Sequence, residues 1–158
     1  MNGVELAKVG MQILHNGNYR YMWDKEMPKE AWDFDNHLRQ DYWQTPDETN
    51  KRRGGDCDDF GIWLIDYLAS HGCRDVMRLC AGRVPQGNHV WVEIITEENR
   101  FWCDPTPGWG RIIEPAQWFM DKDRRAVYGY TWNGEGFDDE VVYSYDSIDA
   151  ELHKSVGG

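Results

Sequence analysis

The sequence predicts an α+β domain, and three observations carry that reading. Residues 56 to 72 hold an apolar stripe at helical spacing. Segments with the period of β-strands follow between positions 75 and 104, and clusters of turn residues separate them. A helix followed by consecutive strands joined by short turns is the pattern of a helix packed on an antiparallel sheet.

Taken in order, Val4 to Leu14 has helical spacing, with Leu6, Val9 and Ile13 on its expected apolar side, and Asn16-Gly17 ends it. Residues 18 to 50 mix aromatic and charged side chains around Pro28 and Pro46, which predicts one or two short helices with wrapping loops. Residues 1–40 therefore read as a helical N-terminal extension of a single domain spanning 1–158. In the segment from Asp56 to Gly72, Phe60, Trp63, Leu64, Tyr67 and Leu68 recur at i, i+3, i+4, i+7 and i+8. Asp56 suits the N-cap, Asp59 the first turn, and Gly72 the stop.

Asp75 to Val84 alternates Met77, Leu79 and Ala81 with more polar neighbours, and Pro85-Gln86-Gly87-Asn88 turns the chain. Beyond it, Val90, Val92 and Ile94 face one way and His89, Trp91 and Glu93 the other. Thr96 to Asn99 is a polar turn, Arg100 to Asp104 the returning strand, and Pro105 and Pro107 stop it. Arg111-Ile112-Ile113, Ala126 to Trp132 and Glu140 to Tyr145 are further strand candidates. The polar residues 146–158, ending in Gly157-Gly158, are expected to form a flexible tail.

Bulk properties bound the function. The chain has 158 residues, enough for one domain with its own core. A composition that is 41% hydrophobic and 14% aromatic argues against disorder. The formal net charge of −11 repels phosphate backbones, so a nucleic-acid partner is not expected. No run approaches the roughly 18 apolar residues of a membrane span. The four cysteines form no C-x-x-C pair, which leaves a structural zinc site unsupported. Met1 to Glu5 lacks the features of a signal peptide, so the expected location is cytoplasmic, or periplasmic if a leader has been removed.

Within this frame Cys57 stands out. It follows Gly54-Gly55-Asp56 and opens the predicted helix, where the positive end of the macrodipole favours a thiolate. The Cys57 amide, a donor at the helix terminus, is placed to meet a tetrahedral oxyanion. His89 heads one strand and Asp104 ends the next, and the midpoint of the two falls in the polar turn. A hairpin closing there brings the imidazole and carboxylate together at its open end, the relation a carboxylate needs to orient a catalytic imidazole. The other histidines, His15, His37, His71 and His153, read as surface or core.

Asp41-Tyr42-Trp43-Gln44-Thr45-Pro46, followed by Gly54-Gly55-Asp56-Cys57-Asp58-Asp59-Phe60, resembles the bacterial transglutaminase-like cysteine proteinases. The resemblance continues through Leu79, His89 and Asp104 and covers residues 41 to 132. It implies a papain-like, transglutaminase-type core with Cys57 as nucleophile, His89 as base and Asp104 as orienting residue. The best-known branch is periplasmic and cleaves surface adhesins with help from calcium. Its acidic residues beside the cysteine help hold the ion, which implies Asp56 and Asp58 as candidate calcium ligands here. Asp59 lies on the same turn, and N-capping is the competing role for this acidic group.

The implied function is a thiol hydrolase that cleaves peptide or amide bonds of a protein or peptide substrate through a thioester acyl-enzyme. The chemistry itself requires no cofactor. Gln44 and Trp43 are candidate oxyanion donors beside the Cys57 amide, with loop packing as the alternative. The basic run Lys51-Arg52-Arg53 attracts an acidic substrate group or is a solvated loop. The rival functions are acyl transfer to an amine, as in a transglutaminase or amidase, and an inactive binding module of the same fold.

Overall fold

The computed structural model describes residues 2–22 and 44–138 and the backbone of residues 141–142. Helix α1, Gly3–Asn16, starts at Asn2, whose side chain accepts from the Glu5 amide while the Glu5 carboxylate accepts from the Asn2 amide. Its buried face consists of Gly3, Leu6, Ala7, Gly10, Met11 and Leu14. The helix is thus turned away from its predicted orientation, leaving Val9 39% and Ile13 41% exposed. Small residues decide the rotation. A Cβ on Gly10 would meet Leu64 at 2.8 Å and Tyr67 at 2.9 Å, so a side with no side chains lies closest to the next helix.

Strand β1, Arg20–Tyr21, runs parallel to β2, Gly54–Gly55, so the glycines expected to form only a turn also pair with the chain that leaves α1. Between them in sequence lies α2, Pro46–Arg52, opened by a Thr45–Glu48 capping box with Pro46 at its start. Arg53, in the left-handed conformation at φ 54°, ends it. Helix α3, Cys57–Ser70, buries Phe60, Gly61, Trp63, Leu64, Ile65 and Leu68, a band wider than the predicted stripe. The extra width follows from packing on two sides, against α1 and against the sheet. Gly72, at φ +81°, follows the helix as the sequence predicts.

The main sheet has six antiparallel strands in the order β6-β5-β4-β3-β7-β8. They are β3 Val76–Val84, β4 Gly87–Ile95, β5 Arg100–Cys103, β6 Ile113–Pro115, β7 Arg125–Thr131 and β8 Val141–Val142. The turn between β3 and β4 is tighter than expected: Val84 pairs with Gly87, leaving only Pro85 and Gln86 between them. A short helix, α4 Ala116–Met120, follows β6 and has no sequence signal, since it is only 5 residues long and no side chain caps it. The strand expected over Glu140 to Tyr145 is described only at Val141–Val142, and the tail after Asp146 lies outside the described residues. Residues 23–43 also lie outside them, so the expected helical extension is seen only as α1.

Both faces of the sheet are covered. Met77, Leu79, Val92, Ile94 and Cys103 pack against α1 and α3. Cys80, Trp91, Trp102 and Ala126 pack with Phe119 and Met120 of α4 on the other face. This two-sided burial is the alternation read along β4, with apolar partners on each side. No helix among the described residues is long and apolar enough to cross a membrane.

Candidate active site

Cys57 is the first residue of α3, and the chain just before it is fixed by several hydrogen bonds. Asp56 caps the helix, its Oδ1 accepting from the Asp59 amide at 3.4 Å, and Asp59 Oδ2 accepts from the Asp56 amide at 3.0 Å. Asp59 Oδ1 also accepts from the Gln44 amide at 2.7 Å, tying the segment before α2 to the start of α3. Gly55 makes that junction possible. A Cβ there would meet Gln44 Nε2 at 2.5 Å and the Asp59 side chain at 2.6 Å.

Cys57 is partly exposed and lines a cleft of about 400 Å³. Asp56, Asp58, Gly82, Asn88, His89 and Tyr128 line the same cleft. Gly82 pairs with His89 across β3 and β4, where a bulge interrupts the β3–β7 ladder. A side chain at Gly82 would collide with the Arg125 carbonyl and the Trp91 ring, so only glycine fits at this crossing.

His89 is 3% exposed and its ring stacks on Trp109 with centroids 4.0 Å apart. Its Nε2 lies 2.9 Å from Asp104 Oδ2. An ionised carboxylate only accepts, so Nε2 carries the hydrogen and Nδ1 is the nitrogen left for proton transfer. The hairpin register differs slightly from the one expected. Val92 pairs with Cys103 and Ile95 with Arg100, so Asp104 is a diagonal neighbour of His89 and not its direct partner. The shift preserves side-chain parity, and the two groups still meet on one face.

Asp104 is fully buried and held from three sides. Its Oδ2 also accepts from Arg124 Nη1 at 2.9 Å, and its Oδ1 accepts from the Thr106 amide at 3.2 Å. Burial by itself pushes this carboxyl up. The His89 hydrogen bond and charge, together with the Arg124 guanidinium, outweigh that and hold it below its ordinary range. Arg124 is buried and lies over the rings of Trp91 and Phe119 at 5.0 and 4.7 Å. Neither Arg124 nor Trp109 was identified from the sequence as part of the site. Their only sequence signal is proximity: Trp109 follows Asp104 by five residues and Arg124 precedes β7.

The four cysteines form no disulfide. Burial raises the thiols of Cys80 and Cys103 well above their ordinary value, and it raises Cys73 as well. Gln44 is buried, its Nε2 donating to the Gly54 carbonyl at 3.1 Å and its Oε1 accepting from Arg52 at 2.8 Å. It stands behind the glycines that lead into Cys57 and is not a wall of the cleft. Trp43, its partner as an oxyanion candidate, lies outside the described residues. The basic run has local partners: Arg52 reaches Glu48 and Gln44, and Arg53 reaches Tyr19.

Asp56, Asp58 and Asp59 are buried, and each offers an oxygen within 4.8 Å of the others. Oxygen donors gathered at this spacing suit a hard cation, so the cluster is able to bind a metal ion. N-capping engages the same residues, because Asp56 Oδ1 and Asp58 Oδ1 both accept from the Asp59 amide.

No protein-family model matches the chain. No curated protein matches it either. Solved structures of LapG from Legionella pneumophila share its fold. The calcium-bound form aligns with a TM-score of 0.57 at 22% identity, over 93% of this chain and 79% of that one. A second LapG structure gives 0.58 at 21%, over 95% and 76%. The EGTA-treated form gives 0.56 at 21%, over 94% and 79%. The likeness is one of fold, and it agrees with the helix-on-antiparallel-sheet architecture read from the sequence.

Proposed function

We propose that the chain is a cysteine peptidase in which Cys57 is the nucleophile, His89 the general base and acid, and Asp104 the orienting carboxylate. The observation that carries the reading is a single cleft. It holds Cys57 at the start of α3 and His89, whose Nε2 is engaged by a buried carboxylate at 2.9 Å. The fold shared with LapG supports the same transglutaminase-like reading.

The Cys57 thiolate attacks the carbonyl carbon of a peptide bond, and a C–S bond forms as the carbonyl oxygen takes up the charge. The helix-terminal Cys57 amide donates to that oxyanion; Gln44, buried behind Gly54 and Gly55 with its Nε2 on the Gly54 carbonyl, does not. Protonated His89 passes its Nδ1 proton to the departing nitrogen, the C–N bond breaks, and a thioester remains. Neutral His89 then takes a proton from water, which attacks the thioester and releases the acid and the thiolate. An amine entering in place of water would give acyl transfer by the same path.

Calcium is the proposed ion for the acidic cluster, held by Asp56, Asp58 and Asp59. Bound there it would neutralise carboxylates beside the thiolate, whose like charge otherwise opposes ionisation of Cys57.

The test is turnover of a peptide library by wild type and His89→Ala, with and without an added primary amine. Cleavage by wild type and none by His89→Ala is the expected result. Equal cleavage by both would overturn the assignment, and amine incorporation in place of hydrolysis would reassign the acceptor.

A further inference from the structure

A second cleft, of about 620 Å³, lies between α1 and the loop that follows Asp104. Its polar side chains are Lys8, Gln12, His15 and Arg111, and no carboxylate lines it among the described residues. The chain carries 28 acidic against 17 basic residues, so three basic side chains converging without an acid run against its overall charge. Lys8, Gln12 and His15 lie at i, i+4 and i+7 of α1 and so share a face. Lys8 makes no ion pair among the described residues.

Arg111 is held into this cleft by an unusual backbone. It adopts φ 45° directly after Gly110 at φ +88°, a conformation disfavoured for a residue with a Cβ. Among the described residues its guanidinium meets two acceptors: Nη1 lies 2.8 Å from His15 Nδ1, and Nη2 lies 3.5 Å from the Tyr19 carbonyl. Its Nε is buried with no hydrogen-bond partner among the described residues. Burial also pushes this guanidinium below its ordinary pKa. Because His15 Nδ1 accepts from Arg111, its hydrogen sits on Nε2. The cleft therefore offers an ammonium, a guanidinium and an imidazole N–H to whatever enters, with no carboxylate of its own among the described residues.

We propose that this cleft binds a carboxylate side chain of an acidic polypeptide segment. The planar carboxylate matches the guanidinium fork. The occupant is a polypeptide because exposed apolar surface adjoins the basic groups: Val9, a surface neighbour of Gln12 at i, i+3 and of Ile13 at i, i+4 on α1, is 39% exposed and Ile13 41%. The same loop that carries Arg111 also carries Trp109, which stacks on His89, so a bound segment would run beside the catalytic cleft. That this segment belongs to a substrate rests on the peptidase reading; the binding itself does not.

The experiment uses the full chain carrying Cys57→Ala, which removes turnover, and isothermal titration with an acetylated peptide of alternating glutamate and leucine. The peptide should bind saturably. Replacing its glutamates by glutamines, or introducing Arg111→Gln or Lys8→Gln, should weaken binding by at least about tenfold. Lys8 is exposed, so its variant stays informative if the Arg111 variant unfolds. Absence of binding, binding indifferent to Lys8→Gln, or inorganic phosphate binding as tightly as the peptide would each overturn the proposal. Cleavage activity does not enter the readout, so failure of the peptidase reading would be seen separately.

Discussion

Asp104 Oδ2 is shared between His89 Nε2 and Arg124 Nη1, each 2.9 Å away, and all three side chains are buried. One oxygen thus orients the imidazole and neutralises a guanidinium that has left water. The sequence points only to the first task. The second means that truncating Asp104 strands a buried cation.

Asp104→Asn and Asp104→Ala should separate the two tasks. The asparagine carbonyl oxygen can still accept from His89 and Arg124, so peptide hydrolysis should fall about tenfold. Asp104→Ala frees the ring, and hydrolysis should fall by on the order of 10²-fold or more. It should also lower the melting temperature, since it breaks a buried ion pair worth about 3 to 5 kcal/mol when one partner is removed. Kinetics on a common peptide with parallel thermal melts reads both effects.

The acid limb of stability follows from the same carboxylate. Its folded-state pKa is held below the ordinary 3.8, so its ionised form favours the folded protein. That contribution is full above the ordinary value and is lost as pH falls through the lower folded value. Urea melts across the acid range should show wild type losing stability there. The Asp104→Asn curve should be flatter over the same window.

Arg124→Met tests the other side of the contact. Methionine fills the space over Trp91 and Phe119 but leaves Asp104 without its guanidinium, so the variant should lose about 3 kcal/mol in denaturant unfolding. A loss confined to hydrolysis, with stability intact, would show that Arg124 acts on His89 orientation alone.

What was legible in the sequence was local. Gly54-Gly55-Asp56 before an apolar stripe specifies both the cap and the place of Cys57, because capping and helix periodicity depend on near neighbours. The closeness of His89 and Asp104 was legible because Thr96 to Asn99 fixes where the hairpin turns, and parity tolerates the slip in register. The remaining features depend on distant chain. Arg124 reaches Asp104 from 20 residues away, and α1 is turned by the fit of Gly10 against Leu64 and Tyr67. Single-sequence periodicity favoured Val9 and Ile13 over Ala7 and Met11, since it weighs side-chain hydrophobicity and not close approach.

Calcium should bind at the Asp56, Asp58 and Asp59 cluster after chelator treatment, and Asp58→Ala should weaken it while the fold persists. Neutralising these carboxylates should also speed alkylation of Cys57, so added EGTA should slow it. Calorimetry showing no heat at millimolar calcium would leave the cluster as a helix cap alone.

The most direct test of Cys57 as an activated nucleophile is the rate at which iodoacetamide labels each cysteine near neutral pH, followed by peptide mapping. Cys57 opens a helix and faces the cleft with His89, whereas burial raises the thiols of Cys73, Cys80 and Cys103. The account predicts that Cys57 is labelled first in the wild type and at least about tenfold more slowly in His89→Ala. Labelling of another cysteine first, or a Cys57 rate unchanged in His89→Ala, would contradict it.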